Sequence, residues 1–398
     1  MKLYSVIVSF FALAFFCNSL QAQSKKEELV SLLTDMEVQI DMTDAVNNMY
    51  NFKFAQAESA FLQLRDRHPH HPLPYFLMGL SSYWKMQPND EDTRYDNTLI
   101  AYMDSSIRYA EPMSESKDEK IQVEGAFFLS AAYGFKGRIY SERTHWAKAI
   151  SAGKNAMHFL QRSKNNGDLS PEFMFGDGLY NYYAEWIPKN YKLLAPVVAL
   201  FPKGDMKQGI EQLNFCSNNA FFTRTEAQSY LMRIYAIEEQ NVKAAFPIAK
   251  YLHQTFPDNS YFQRFYCRLL FSSGNFVETE KIALNMISKI DSGYFGYEAV
   301  TGRYACYMLG YIYQFKKDYE KAKLYFKRTV DYGEQANALK MGYYLHACSY
   351  LGKIMSKEGK TGEACLYFEK VKKNADKKDD ERILNEAKEF LSKNDCKK

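Results

Sequence analysis

A segment near the C-terminus occurs twice with the same internal spacing, and this repetition restricts the possible folds more than any other pattern in the sequence. The first copy contains Cys306, Leu309, Gly310, Tyr313, Ala322 and Phe326. The second contains Cys348, Leu351, Gly352, Met355, Ala364 and Phe368 at identical separations. Residues three and four apart share one face of a helix, and small residues let two helices approach closely. The repeated segment therefore predicts a pair of antiparallel helices in which Ala322 and Ala364 face Gly310 and Gly352.

This order of small and large residues is typical of the tetratricopeptide repeat. The second-helix half of the pattern recurs earlier, with the small position occupied by Ala57, Ala149, Gly209, Ala245 and Thr279. Two further helices around 75–84 and 95–109 would form a degenerate pair. We therefore expect an all-α solenoid, a right-handed superhelix of about seven to eight antiparallel helix pairs that is clearest at 228–373.

The N-terminus carries a different signal. Residues 1–22 contain a lysine, an apolar run and a small residue before Gln23, which is the pattern of a secretory signal peptide. Cys17 lacks the small residues that precede a lipoprotein cysteine, so a lipid anchor is disfavoured. We expect a bacterial protein that is secreted or periplasmic. Residues 23–398 would then form a single solenoid, closed by a charged capping helix at about 379–393.

Six cysteines follow the predicted signal, without a CxxC pair or a compact disulfide framework. Cys306 and Cys348 occupy equivalent positions in the two clear repeats, where a buried apolar residue is expected. We favour buried free thiols over bridges, although an exported protein could form either.

The segment 184–203 does not follow the repeat. Pro188, Pro196 and Pro202 interrupt it, and the nine residues 193–201 are all apolar. A bilayer span needs about 20 such residues, so no transmembrane helix is expected. Two interpretations remain: a loop that touches a membrane peripherally or docks a partner, or a plug over one edge of the core. We favour the plug.

The middle of the chain contains a succession of short motifs. They are Gly178-Leu179-Tyr180-x-Tyr182-Tyr183, Pro188-Lys189, Gly204-Asp205-x3-Gly209, Thr223-Arg224-Thr225-Glu226-Ala227 and Pro257-x-Asn259. In this order they resemble the Iml2/tetratricopeptide-repeat-protein-39 family and its bacterial relatives, over roughly 124–259. The resemblance implies a helical-repeat scaffold of adaptor type, with no active site to carry over. Eukaryotic members lack a secretory signal of this kind, so their cellular roles are not transferred.

The sequence contains no motif of a known catalytic or cofactor site, such as G-x-S-x-G, H-E-x-x-H or a phosphate-binding glycine loop. His68, His70 and His71 lie close together, but no cysteine or carboxylate joins them at ligand spacing. The formal charge of +4 is small for 398 residues and is not concentrated in one stretch. We therefore expect no enzyme activity, cofactor, metal site or nucleic-acid binding.

The remaining candidate site is a surface. The first helix of each pair lines the concave groove of such a solenoid, where repeat proteins hold peptides. Residues of these helices that face away from the partner helix are Tyr261, Arg264, Arg268, Phe271, Tyr304, Tyr307, Tyr311, Phe315, His346, Lys353 and Lys357. Aromatic rings beside Arg and Lys suit an extended acidic peptide or a C-terminal carboxylate. Alternatively, several of these tyrosines are buried between helices.

These observations predict an exported, non-enzymatic scaffold or adaptor that binds a partner protein or peptide in its concave groove. The alternative is a nutrient- or glycan-binding envelope protein built on the same repeats. That alternative is disfavoured because the chain has only 3 Trp and lacks a lipoprotein signal.

Overall fold

The structure is a computed structural model that describes residues 29–199, 201–378, 380–394 and 396. The predicted signal peptide at 1–22 lies outside these residues. The described part is helical and contains no strand. Its α-helices are α1 (Met36–Tyr50), α2 (Phe54–Arg67), α3 (Pro72–Met86), α4 (Asp96–Ser114), α5 (Glu119–Glu142), α6 (Trp146–Ser163), α7 (Met174–Asn190), α8 (Ala195–Val198), α9 (Met206–Asn219), α10 (Arg224–Arg233), α11 (Val242–Thr255), α12 (Ser260–Ser272), α13 (Phe276–Asp291), α14 (Ala299–Phe315), α15 (Tyr319–Gln335), α16 (Gly342–Lys357), α17 (Thr361–Asn374) and α18 (Glu381–Lys393).

The helices pack as consecutive pairs. In the described part these are α1–α2, α3–α4, α5–α6, α7–α9, α10–α11, α12–α13, α14–α15 and α16–α17. The helices expected around 75–84 and 95–109 correspond to α3 and α4. Helix α18 follows as a single helix against α16 and α17. The chain is thus an all-α solenoid of the tetratricopeptide type, as the repeat spacing predicts.

The turn between the two helices has the same backbone geometry in six of the pairs. Helix α10 is continued by a π-helical turn at Ile234–Glu238. Two residues beyond the end of the first helical segment, the backbone has a positive φ at Phe52, Thr144, Gln240, Gly274, Lys317 and Gly359. This left-handed residue reverses the chain. In three pairs the next residue is Asn or Asp, and its side chain accepts a hydrogen bond from the backbone N–H three residues later. Such a cap supplies an acceptor at the start of the second helix.

The packing inside the two clear repeats differs from the prediction in one respect. A Cβ added at Gly310 would lie 2.7 Å from the Phe326 ring, and one at Gly352 would lie 2.8 Å from the Phe368 ring. The atoms nearest to Gly310 therefore belong to Phe326 and not to Ala322, which the repeat spacing places opposite Gly310. Gly310 is small because an aromatic ring lies directly over it, and Ala322 is buried in the same apolar cluster as Phe326.

The cysteines also differ from the prediction in part. Cys216, Cys267, Cys306 and Cys348 are buried free thiols, as expected. Cys365 and Cys396, however, form a disulfide across 31 residues of sequence. The preference for free thiols is wrong for this pair, because α18 folds back along α17 and brings the end of the chain to it.

The segment 184–203 is more helical than its prolines suggest. Helix α7 continues through Pro188 to Asn190, and a 3₁₀ turn at Lys192–Leu194 and the one-turn helix α8 follow. This short region packs chiefly on α7 and on itself. The contacts therefore do not support the favoured interpretation of a plug over the solenoid core.

The solenoid folds back on itself. Tyr50 and Trp84, from the first and third helices, both donate hydrogen bonds to the buried carboxylate of Glu226 on α10, at 3.2 and 2.5 Å. The Asn259 side-chain amide donates to the Tyr50 carbonyl at 2.7 Å. One continuous apolar core consequently includes residues from Leu32 to Leu309. This closure brings helices together that are more than 140 residues apart in the chain.

Candidate functional site

The first helices of several pairs carry an arginine- and tyrosine-rich face, which we call the inner arginine–tyrosine surface. It comprises Tyr83 on α3, Arg138 on α5, Tyr230 and Arg233 on α10, Tyr261, Arg264 and Arg268 on α12, Arg303 and Tyr304 on α14, and Tyr343 on α16. First helices form the concave side of such a solenoid. Most of these side chains are half-buried: they are surrounded by protein yet accessible to solvent.

One end of this surface is built around Arg138. Its guanidinium lies 4.9 Å from the centre of the Tyr83 ring, and its Nη1 donates to the Tyr230 hydroxyl at 3.0 Å. Its Nε contacts Glu142 on the same helix at 2.8 Å. The three-helix contact exists because the fold-back places α10 against α3 and α5.

The centre of the surface is Tyr261. Burial raises the pKa of Tyr261, while the positive charges of Arg233, Arg138 and Arg264 act in the opposite direction. Three guanidiniums from α10, α5 and α12 are therefore close enough to influence one phenol. The Tyr261 ring also contacts Trp84, with ring centres 6.1 Å apart.

Arg264 has a structural role as well. Its Nη1 donates to the Pro88 carbonyl at 3.0 Å and contacts the Thr301 hydroxyl at 3.2 Å. The guanidinium also lies 5.5 Å from the centre of the Tyr304 ring. Burial lowers the pKa of Arg264. This residue thus ties the loop after α3 to α12 and α14, in addition to lining the surface.

The other end consists of stacked rings. The Arg303 guanidinium lies 5.0 Å from the Tyr304 ring centre, and its buried Nε has no hydrogen-bond partner. Tyr304 contacts the edge of Tyr343 at 5.0 Å. Tyr307 stacks on Tyr343 at 4.3 Å and is itself buried. For Tyr307, the alternative of burial between helices therefore holds.

The predicted groove residues fall into separate groups. Tyr261, Arg264, Arg268 and Tyr304 belong to the inner arginine–tyrosine surface. Phe271, Tyr311 and Phe315 instead form an aromatic cluster with Phe276 of α13, in which the Phe271 and Tyr311 rings are 5.2 Å apart.

The three basic candidates on α16 have other surroundings. Lys353 forms an ion pair with Glu386 of the capping helix at 2.6 Å. His346 is half-buried, and this burial lowers its pKa. Lys357 is exposed at the end of the helix. The capping helix therefore engages one of the lysines that the sequence assigns to a ligand.

Sequence reasoning missed six members of the surface: Tyr83, Arg138, Tyr230, Arg233, Arg303 and Tyr343. Tyr230 and Arg233 are three residues apart on a first helix, so the criterion used for 261–357 would have found them if applied earlier in the chain. Tyr83 and Arg138 offer no such signal, because only the fold-back brings them to the site.

The charges of this surface are unbalanced. Within the described residues, Arg233, Arg268 and Arg303 form no ion pair with a carboxylate. The buried carboxylate nearby, Glu226, is already occupied by Tyr50 and Trp84. Guanidiniums in such a partly desolvated place form strong, often bidentate hydrogen bonds to carboxylates and phosphates. The surface can therefore bind an anionic group.

One histidine of the cluster at 68–71 has a structural role. His71, from the histidine cluster, caps α3 by accepting the Leu73 N–H at 3.1 Å, and its Nε2 lies 3.2 Å from Glu124. No group of three potential metal ligands occurs in the part of the chain that the structure describes. In the same part, every helix is too short or too polar to cross a bilayer.

No family model matches the chain, and no curated protein is significantly similar to it in sequence. Among solved structures, the human IFIT1 dimer with PPP-AAAA resembles it with a TM-score of 0.39 and 13% sequence identity, over 84% of this chain and 71% of that chain. The specific resemblance to the Iml2 family is therefore not confirmed. The class that the helix pairs and their repeated turns define is that of the tetratricopeptide-type helical-repeat proteins.

Proposed function

We propose that this protein is an exported, non-enzymatic scaffold that binds an acidic, extended segment of a partner protein on the inner arginine–tyrosine surface. The proposal rests on three guanidiniums, those of Arg233, Arg268 and Arg303, which have no carboxylate partner among the described residues. The Arg303 guanidinium lies beside the Tyr304 ring, that of Arg268 lies 5.3 Å from the Phe265 ring centre, and the charge of Arg233 acts on Tyr261. Carboxylates of a peptide would supply the missing partners, and the rings would stack on its peptide planes and side chains.

An extended segment fits the arrangement because the contacts follow successive first helices rather than converge on one pocket. Concave surfaces of repeat proteins bind peptides in this way. The surface combines guanidiniums and phenols without a nucleophile beside a general base, which favours binding over catalysis. Tyrosine also gives large contact area at a low cost in side-chain entropy.

Export is supported by two independent features. Residues 1–22 have the pattern of a secretory signal peptide. Cys365 and Cys396 form a disulfide, a bond that persists mainly in oxidising compartments such as the bacterial periplasm or the cell exterior. We therefore place the partner in the same compartment.

The test is a binding titration with fluorescent peptides rich in Asp and Glu, and with neutral peptides of equal length as controls. Arg233→Gln and Arg268→Gln should each weaken acidic-peptide binding about tenfold or more, because a hydrogen bond to a charged group contributes about 1.5–3 kcal/mol. Arg108→Gln is the matched control, since this exposed arginine also lies beside a tyrosine, 5.8 Å from the Tyr109 ring centre. Binding should weaken with salt.

Three results would contradict this function. The first is unchanged affinity in both surface variants. The second is equal affinity for neutral and acidic peptides. The third is tighter binding of a single-stranded oligonucleotide competitor than of any peptide, which would assign the guanidiniums to phosphates. A pull-down from the native envelope with the parent and the Arg233→Gln variant would then identify the partner.

A further inference from the structure

Residues 191–199 and 201–203 stand outside the helix pairs. The chain leaves α7 at Asn190, makes a 3₁₀ turn at Lys192–Leu194 and continues into the one-turn helix α8. These elements pack chiefly on α7, not on the neighbouring pairs. Tyr191 and Leu194 are 55% and 48% exposed. The segment therefore presents apolar side chains to the surroundings that the solenoid core does not use.

The charged residues within this segment, Lys192 and Lys203, are both positive. Between Glu185 and Asp205 the chain has no acidic residue and three lysines, Lys189, Lys192 and Lys203. Lys189 forms an ion pair with Glu185 at 2.6 Å. Lys192 and Lys203 are exposed and form no ion pair among the described residues. The apolar stretch 193–201 is thus flanked on both sides by a positive charge without a protein counter-ion.

Aromatic residues complete the pattern. Trp186 is half-buried at the end of α7, and its ring centre lies 5.7 Å from that of Tyr191. Trp and Tyr concentrate at membrane–water interfaces, where one part of the ring is in apolar surroundings and the other is wet. An exposed apolar segment with aromatic rings and flanking lysines has the composition of an element that lies in a lipid interface.

We propose that residues 191–203 dock this protein peripherally on an anionic lipid surface. Tyr191 and Leu194 would enter the boundary between headgroups and acyl chains, while Lys192 and Lys203 contact lipid phosphates. The contact is peripheral because every described helix is too short or too polar to span a bilayer. A lipid surface is favoured over a protein partner because the lysines flank the apolar residues without any acidic residue that would mark a specific complementary patch.

This inference goes beyond the peptide-binding function and does not depend on it. The docking segment follows α7 and includes α8, whereas the inner arginine–tyrosine surface comprises residues of α3, α5, α10, α12, α14 and α16. If both proposals hold, the protein would present its peptide-binding surface next to a membrane. Either one can fail without the other, so the experiments below include the peptide titration as a separate readout.

The first experiment is co-sedimentation of the full chain with vesicles of phosphatidylcholine, with or without phosphatidylglycerol. The parent should bind only the vesicles that contain phosphatidylglycerol, and added salt should release it. The double variant Lys192→Gln/Lys203→Gln should bind about thirtyfold more weakly, because each lysine near an anionic surface contributes about 1 kcal/mol, a factor of about five. Leu194→Glu should abolish binding. All variants carry the same residues 1–22, so differences among them report on the segment alone.

Matched controls lie elsewhere on the surface. Lys250→Gln/Lys388→Gln removes two exposed lysines that also lack an ion pair, and Leu366→Glu places a carboxylate at a leucine that is 67% exposed. Both controls should bind vesicles as the parent does. Far-UV circular dichroism and acidic-peptide affinity should be the same in all variants, because every substituted side chain is exposed and none belongs to the inner arginine–tyrosine surface.

The second experiment tests whether the docking segment lies in the lipid when the protein is bound to vesicles. Bromine-labelled lipid should quench part of the tryptophan fluorescence of the vesicle-bound parent, and Trp186→Phe should remove that quenched part while vesicle binding is largely retained. Four outcomes would overturn the proposal: no binding to phosphatidylglycerol vesicles, equal binding to both vesicle types, equal binding of the parent and the double lysine variant, or quenching that survives Trp186→Phe. A protein captured through this segment in the absence of any vesicle binding would also overturn it.

Discussion

The contact between Gly310 and Phe326 makes the repeat packing testable through a single methyl group. In Gly310→Ala, the new Cβ would lie 2.7 Å from Phe326 Cδ1, whereas ordinary carbon contacts are about 3.5–4.0 Å. The ring must therefore move by roughly 1 Å. Phe326 cannot move freely, because it is fully buried and stacks on Tyr350 with ring centres 4.9 Å apart. Overpacking of this kind costs about 1–3 kcal/mol.

Alanine has a higher helix propensity than glycine, and this stabilising effect opposes the destabilising clash with Phe326. A control substitution without a clash is needed to separate the two effects. Gly→Ala inside a helix stabilises by about 1 kcal/mol when no clash occurs. Gly153 in α6 provides this case, because a Cβ there would have no atom within 4 Å. Gly153→Ala should be about 1 kcal/mol more stable than the parent, and Gly310→Ala should lie about 1–3 kcal/mol below Gly153→Ala.

The assay is urea unfolding followed by far-UV circular dichroism, together with hydrogen exchange of α14 and α15. The local probe is needed because repeat proteins do not always unfold as one unit. Gly352→Ala should reproduce the effect of Gly310→Ala, since its Cβ would lie 2.8 Å from the Phe368 ring. If Gly310→Ala stabilises the protein as much as Gly153→Ala does, the assigned contact is wrong.

Three further predictions follow from other contacts. Replacing Cys365 and Cys396 with Ser should lower the free energy of opening α18 by about 3–4 kcal/mol, since the disulfide closes a loop of 31 residues. Hydrogen exchange of the α18 amides measures this opening, and unchanged exchange rates would contradict the prediction. Burial raises the pKa of the Glu226 carboxyl above its ordinary 4.5, and this effect outweighs the hydrogen bonds from Trp84 and Tyr50, which lower the pKa. The folded state therefore holds the carboxyl proton of Glu226 more tightly than the unfolded chain does. The free energy of unfolding should consequently fall as pH rises from about 4.5 through the raised pKa. In urea unfolding curves recorded at a series of pH values, Glu226→Gln should show a smaller fall over that range. An identical dependence of the free energy of unfolding on pH in both proteins would refute this. Gly359 and Lys317 both have a positive φ in the turns between helices, a conformation that glycine adopts more readily than other residues. Gly359→Ala should therefore destabilise the protein by about 1 kcal/mol, whereas Lys317→Gly should be neutral or stabilising. The melting temperatures of the two variants and the parent test this.

The repeat register was predictable because it depends on local interactions. The spacing from Gly310 to Phe326 recurs from Gly352 to Phe368, and any helix pair with that spacing buries the same face. The position of the second helices followed for the same reason. The identity of the residue over Gly310 did not follow, because two side chains, Ala322 and Phe326, lie on the same face and only the packed geometry selects the ring.

The candidate site was predictable only where it lies within consecutive pairs. Arg268 and Tyr304 could be selected from helical spacing alone. Arg138 and Arg233 could not be assigned to the same surface, because 95 positions of sequence separate them and no local pattern records their proximity. Lys353 was assigned to a ligand because the sequence does not reveal that Glu386 of the capping helix pairs with it.

The helical solenoid could be predicted from local patterns, since helix periodicity, small residues and turn residues act over a few positions and require no distant partner. Which of its surfaces is available depends on the packing of helices that are distant in the chain. The fold-back of the first helices onto α10 and α12 encloses Glu226, recruits Arg264 to a backbone carbonyl and assembles the inner arginine–tyrosine surface from helices that are remote in sequence. The physical reason is that fold-back depends on the sum of small rotations between successive pairs, and that sum is set by side-chain packing at every interface rather than by any one segment.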